Sequence, residues 1–244
     1  GAGMADLVIA NIIGVIAALL QAYTGFCFSV LATTFLLLVY PVAEAIQINI
    51  TLSILISVVM LPKVMGDIDR PLFKRLVLGS MIGAPLGITV YLFANPAYLK
   101  VGIGFTVLAF TGLILRKYRL ARSPGRDRLA GGLSGVLTSG LGMPGPPLLL
   151  YFAGAGITPK VLRATTLGYF LFIYSISLGL QLATGPAAPG TMLIALSLTP
   201  ATAVGIVAGQ VLFSRISHGL FMGIAYGLLL LTGTYLVVAT LLGG

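Results

Sequence analysis

Ten apolar stretches run almost end to end through this chain, most of them near the length of a membrane-spanning helix. They cover residues 7–22, 25–40, 43–61, 76–94, 99–115, 129–141, 147–157, 164–183, 191–213 and 219–242. A hydrocarbon core of about 30 Å takes about 20 apolar residues of α-helix. Stretches of this kind predict an all-α polytopic membrane protein. A transmembrane β-barrel would alternate polar and apolar residues, and these stretches do not. The first stretch is followed by many more, so it reads as a span rather than a cleaved signal peptide. Gly1-Ala2-Gly3, ahead of Met4, reads as an expression scar over residues 1–3.

The two halves resemble each other. "VGIGFTVLAFTGLIL" (Val101–Leu115) aligns with "MGIAYGLLLLTGTYL" (Met222–Leu236). "GSMIGAPLG" (Gly79–Gly87) aligns with "ATAVGIVAG" (Ala201–Gly209), which sets Gly83 and Gly87 on Gly205 and Gly209. "GVIAALLQAYTG" (Gly14–Gly25) aligns with "GGLSGVLTSGLG" (Gly131–Gly142). The offset is 117 residues early in the repeat and 121–122 later. The chain therefore divides into a first repeat over 4–115, a basic linker over 116–128 and a second repeat over 129–244. Internal repeats of this kind build secondary transporters.

Charge sets the sense of the repeat. The net charge of +9 comes from 14 Lys and Arg against 5 Asp and Glu. These bases sit in loops, where they orient a membrane protein and meet anionic headgroups, so they do not argue for nucleic acid. If the first two segments of each half form a hairpin that returns to its starting side, three spans follow and the halves are inverted. Every Lys and Arg except Lys100 is then cytoplasmic. If each hairpin is one broken span, Lys160, Arg163 and Arg215 move outside. The positive-inside rule favours the inverted scheme, with both termini periplasmic and 116–128 cytoplasmic. Leu129–Leu141 is too short to span and predicts a re-entrant pair with 147–157. The first pair is longer and could be two full spans.

"GLGMPGPPLLLYF" (Gly140–Phe152) breaks its own helix. Irregular backbone at membrane depth is tolerated where it is buried in protein or lines a cavity. A helix restarting after Pro146-Pro147 presents orphan N–H groups at the positive end of its dipole, which suits an anion. The expected donors are Gly142, Met143, Gly145, Leu148 and Leu149. The equivalent tip in the first half is "TGFCFS" (Thr24–Ser29), and inversion brings both tips toward the midplane. Either the tips form a site or the breaks only kink helices for packing.

The candidate contacts for a small anionic substrate are Gln21, Thr24, Gly25, Ser29, Asn49, Thr138, Gly142, Met143, Gly145, Thr165 and Thr166. Gln21 and Thr138 are repeat equivalents, as are Asn49 and Thr166. Their uncharged donors hold an oxyanion without trapping it, or else bond between helices. Glu44 is the acid that stands apart from the charged loops. It is either a coupling carboxylate or a partner for a helix dipole. Arg163 either draws anions or anchors its helix. Asp67 and Asp69 read as a solvated loop. The coupling ion, a proton or sodium, stays open. So does a homo-oligomer, because Gly79, Gly83 and Gly87 could pack within or between chains.

Little in the chain proposes an enzyme or a cofactor. Cys27, the single cysteine, has no base beside it in the sequence, and one cysteine builds neither an intramolecular disulfide nor a cysteine metal cluster. His218 has no metal-ligand spacing, and neither a phosphate loop nor HExxH occurs.

"LSGVLTSGLGMPGPPLLLYFAGAGITPKVLRATT" (Leu133–Thr166) resembles the opening of the second repeat in the TauE/SafE membrane transporter family, also called the 4-toluene sulfonate uptake permease family. "TGFCFSVLATTFLLLVYPVAEAI" (Thr24–Ile46) resembles the first, and the likeness covers residues 7–240. The resemblance implies a bacterial inner-membrane transporter for sulfite, a sulfonate or a related small anion, with the two tips as the substrate region. Many members carry consecutive glycines at both breaks. Here Phe26, Cys27, Phe28 and Met143 make the tips bulkier and leave room for an organic anion. An anion channel and a carboxylate transporter are the alternatives, beside a membrane partner or membrane enzyme that moves nothing.

Overall fold

A computed structural model describes residues 3–24, 28–117, 119–152, 155–185, 190–213, 215 and 217–243. The side chains of 20–24, 28, 159, 209–210, 212–213, 218, 221–222 and 225 also fall outside the description. Every regular element among the described residues is helical. In order they are α1 (Met4–Thr24), α2 (Phe28–Leu36), α3 (Val42–Met60), α4 (Arg70–Phe93), α5 (Pro96–Leu115), α6 (Pro124–Leu141), α7 (Gly145–Phe152), α8 (Pro159–Thr184), α9 (Thr191–Phe213) and α10 (His218–Gly243).

Six helices, α3, α4, α5, α8, α9 and α10, are long and apolar enough to cross a bilayer, three in each half. The others form the pairs α1–α2 and α6–α7. Their second members have 9 and 8 residues, or about 14 and 12 Å of helix, far short of the core. The first pair is therefore not two full spans.

Local chemistry starts the helices. Asp69 accepts from the Leu72 amide at 3.0 Å, Asn95 from Ala97 at 2.9 Å, and Ser123 from Arg126 at 3.2 Å. A proline follows each cap within two residues, where its missing N–H costs nothing. The cap at Ser123 starts α6 ahead of the apolar stretch at 129–141. The linker read over 116–128 thus gives its last five residues to the helix. At 18 residues, α6 is about 27 Å long, so length alone does not make the pair re-entrant. The return of α7 does. Tyr151, near the end of α7, donates to Asp127 Oδ1 at 2.6 Å and accepts from the Ser123 amide at 3.2 Å, both at the start of α6.

That end of the bundle is basic. Arg75 meets Asp127 at 3.0 Å, Arg122 meets Asp69 at 3.2 Å and Asp127 at 3.7 Å, and Lys160 meets Asp67 at 3.5 Å. Asp67 and Asp69 are thus paired rather than merely solvated. The run of the helices carries every other Lys and Arg to the same end, except Lys100. At the opposite end Lys100 and Asn95 share a groove with Leu37, Thr240 and Gly243. There, too, burial and then the charges of Asp6 and Glu44 push the Tyr40 phenol above its ordinary pKa. The starts of α1 and α3 therefore flank the end of α2, and the first hairpin returns to its starting side as well.

The packing repeats itself two-fold. A Cβ on Gly83 of α4 would come within 2.0 Å of the Gly132 carbonyl oxygen of α6, and one on Gly205 of α9 within 2.5 Å of the Val15 carbonyl oxygen of α1. Gly83 and Gly205 are repeat counterparts, and so are Gly132 and Val15. The α4–α6 packing is thus made again as α9–α1. Likewise α4–α8 recurs as α9–α3, and α5–α7 as α10–α2. Helices α5 and α3 pack on their own counterparts, α10 and α8, as elements beside a two-fold axis do. The end of α10 meets the start of α5, so these counterparts are antiparallel and the halves are inverted. The glycine stripe Gly79, Gly83 and Gly87 packs within the chain, against α6. The other face of α4 exposes Leu78, Met81, Ile82 and Leu86, the face a helix turns to lipid.

Candidate functional site

The break in "GLGMPGPP" is built from inside α6. Gly142 takes a left-handed φ of +74°, which an L side chain adopts only at a cost. Its amide turns back to the Thr138 carbonyl at 2.8 Å, and the Met143 amide to Leu137 at 3.1 Å. Ser134 Oγ then holds the Pro144 carbonyl at 2.9 Å. These bonds revise the expected donor set, because the amides of Gly142 and Met143 are spent closing the turn. Leu148 and Leu149 lie past the first turn of α7, where an amide bonds the carbonyl four residues back. The orphan positions of that turn are Pro144, Gly145, Pro146 and Pro147, and three of them have no N–H. Among the described residues one amide of that turn, that of Gly145, is left without an acceptor.

The chemistry lies in side chains from both halves. Asn49 of α3 is fully buried. Its Nδ2 donates to the Gly142 carbonyl at 2.8 Å, and its Oδ1 accepts from Ser53 Oγ at 3.4 Å. The Tyr174 phenol of α8 lies beside the hydroxyls of Ser53 and Ser29. Ser29 is in the first turn of α2 and is the last residue of the first tip. A chain of neutral polar groups thus runs from one tip to the other: Gly142, Asn49, Ser53, Tyr174, Ser29. All four side chains are buried, and none carries a charge. Hydroxyl and carboxamide dipoles in a site of low dielectric can hold a small oxyanion, since each hydroxyl turns its proton to suit.

Thr138, fully buried, donates to the Ser134 carbonyl at 2.6 Å, one turn before the break. Met143 and Gly145 are buried at the tip itself. Thr166 bonds the carbonyls of Leu162 and Arg163 in its own helix. Thr165 accepts from the Asp69 amide at 2.9 Å, which draws it to the basic end. Glu44 is half-buried in the first turn of α3, and Arg163 is exposed in α8. Gln21 and Thr24 fall in α1, but their side chains lie outside the described residues, as do Gly25 and Cys27 entirely.

Ser53 and Tyr174 belong to this network and Ser134 holds the tip beside it; none of the three was among the sequence candidates. A signal for Ser53 exists: Asn49, Ser53 and Ser57 recur every fourth residue, a polar stripe on one face of an apolar helix. Asp127 is the other omission. It is fully buried and bonded to Arg75 and Tyr151, although the sequence places it among arginines.

The family described as sulfite exporter TauE/SafE matches residues 10–236. No individual curated protein matches the chain, and no solved structure does.

Proposed function

The chain belongs to the sulfite exporter TauE/SafE family, and from that premise we propose that it carries a small sulfur oxyanion, sulfite or an organosulfonate, by alternating access. The family implies a multi-pass membrane transporter rather than an enzyme, and the fold agrees. The observation that carries the finer reading is the neutral network from Gly142 to Ser29. It joins the two helix breaks, draws on both halves, and offers hydroxyl donors where a charged residue would bind an anion too tightly to release it. The proposed substrate region also takes in Thr138, Met143 and Gly145 at the second tip and, as repeat counterparts read from the sequence, Gln21, Thr24 and Gly25, with Thr165 and Thr166 toward the basic end. The two-fold packing, which carries α4 on the second half and α9 on the first, supports alternating access by rocking of two symmetry-related bundles, with the site opened first to one face and then to the other.

The basic end faces the cytoplasm in this reading, by the positive-inside rule, and both termini face the periplasm of a bacterial inner membrane. Glu44 is the carboxylate to test for coupling to protons, and its place in the first turn of α3 favours the dipole role.

A ligand-dependent melt of the purified protein tests the site. An anion that binds only the folded state stabilises it by about 2.7 kcal/mol at a hundred times its Kd. Sulfite or a short alkanesulfonate should raise the melting temperature of the wild type and leave that of Asn49→Leu unmoved. An equal rise in both proteins would remove Asn49 from the site. A rise with acetate alone would make the substrate a carboxylate.

A further inference from the structure

Buried hydroxyls on these helices commonly donate to a carbonyl one turn back. Thr34 bonds Val30, Thr138 bonds Ser134 and Thr202 bonds Leu198. Thr33 of α2 and Ser177 of α8 do not. Both residues are 0% exposed, and among the described residues neither hydroxyl oxygen has a hydrogen-bond partner. An unpaired buried hydroxyl is destabilising, and valine or alanine would avoid the cost.

The two positions are related through the network. Tyr174 lies beside Ser29. Thr33 stands four residues after Ser29, and Ser177 three after Tyr174, so each shares a helix face with one partner of that contact. Both helices run from it toward the Lys100 end. Leu37, just beyond α2, shares the Lys100 groove, and Gly185, just beyond α8, abuts Leu92 at the end of α4. The two unpaired hydroxyls therefore sit about one turn, 5.4 Å, outward of the contact. The same polarity continues toward that end. Gln181, one turn past Ser177, is fully buried and donates to the Ser139 carbonyl at 3.0 Å, while its Oε1 has no partner. Tyr40, beyond α2, also has a buried, unpaired hydroxyl.

We propose that Thr33 and Ser177 form a second hydroxyl station for the anion, on the route between the central network and the Lys100 face. It rests on the anion-transport reading. One neutral donor on α2 and one on α8 receive oxygens of an oxyanion as it leaves Ser29 and Tyr174, with no bond of their own to break first.

Two experiments test the station. In sealed vesicles of known orientation, Thr33→Cys and Ser177→Cys meet a charged, impermeant thiol reagent on the Lys100 side. Ala32→Cys, equally buried on α2, is the control, and the wild type gives the Cys27 background. Both cysteines should react several times faster than the control, and an alkanesulfonate should slow them. Sulfite is unsuitable for protection because it attacks the reagent.

In the second experiment Thr33→Val and Ser177→Ala should each lower flux about tenfold, the loss of one hydrogen bond to a charged group, without lowering the melting temperature. Thr34→Val, whose hydroxyl is tied to Val30, should leave flux unchanged. Cysteines no faster than the control, or full flux in the Thr33→Val/Ser177→Ala double variant, overturn the station. Wild type that moves no anion while both cysteines react and are protected leaves the route standing and removes sulfur oxyanion transport. Wild-type flux with inert cysteines does the reverse.

Discussion

Asn49 in the first half donates a 2.8 Å hydrogen bond to the carbonyl of Gly142, the left-handed residue that ends α6 in the second half. One side chain thereby ties a full span to the tip of a re-entrant pair from the other repeat. Asn49→Ala leaves that buried carbonyl without its donor, which costs about 1–3 kcal/mol. Both thermal stability and flux should fall. Asn49→Asp should abolish flux, because a carboxylate there repels the anion. Wild-type flux in Asn49→Asp would place the substrate elsewhere.

Gly83→Ala drives a methyl group to 2.0 Å from the Gly132 carbonyl oxygen. Backbone cannot step aside as a side chain can, so the strain should reach or exceed the usual 1–3 kcal/mol or so of overpacking. Gly112→Ala in α5 meets nothing within 4 Å and should be neutral or slightly stabilising, by at most about 1 kcal/mol. Melting curves in detergent compare the two. A change in oligomeric state with no change in melting would return the stripe to an interface between chains.

Asp127 is a fully buried carboxylate with Arg75 at 3.0 Å and Tyr151 at 2.6 Å. Asp127→Ala takes the carboxylate from Arg75, which is 31% exposed, and from Tyr151, which keeps its bonds to Ser123, and should cost about 1–3 kcal/mol. Asp127→Asn keeps an acceptor for Tyr151 and should cost less. Asp69→Ala loses mainly its cap on α4, about 1 kcal/mol. Equal losses in the three variants would mean that burial of Asp127 does not set its energetics.

Glu44→Gln separates the two roles left to that residue. A coupling acid would take the pH dependence of flux with it. A dipole partner would cost only about 0.3–1 kcal/mol of stability. The half-buried position in the first turn of α3 predicts the second outcome, with flux against pH keeping its wild-type shape.

The spans were legible because hydropathy reports them directly, and the repeat because close packing holds glycine at matching places, Gly83 against Gly132 and Gly205 against Val15. The start of α6 was not legible from hydropathy, which reads Arg126, Asp127 and Arg128 as loop. The capping signature Ser123-Pro124 carried that information instead. At the tip, the Gly and Pro cluster was visible but its donors were misassigned. Three of the four orphan positions are prolines, and the closing turn takes the amides of Gly142 and Met143. The hydroxyls of Ser29, Ser53 and Tyr174 come together from three helices. That depends on tertiary register, which a single sequence does not contain.

Counterflow in proteoliposomes tests the central claim most directly. Vesicles loaded with a labelled alkanesulfonate, and in parallel with labelled sulfite, are diluted into buffer with and without the same unlabelled anion. A carrier gives saturable exit that accelerates when the anion is present on the far side, and Asn49→Asp loses that exit. Exit that rises linearly with concentration and ignores the far side would mean a channel. No exit of either anion from folded protein would contradict sulfur oxyanion transport altogether.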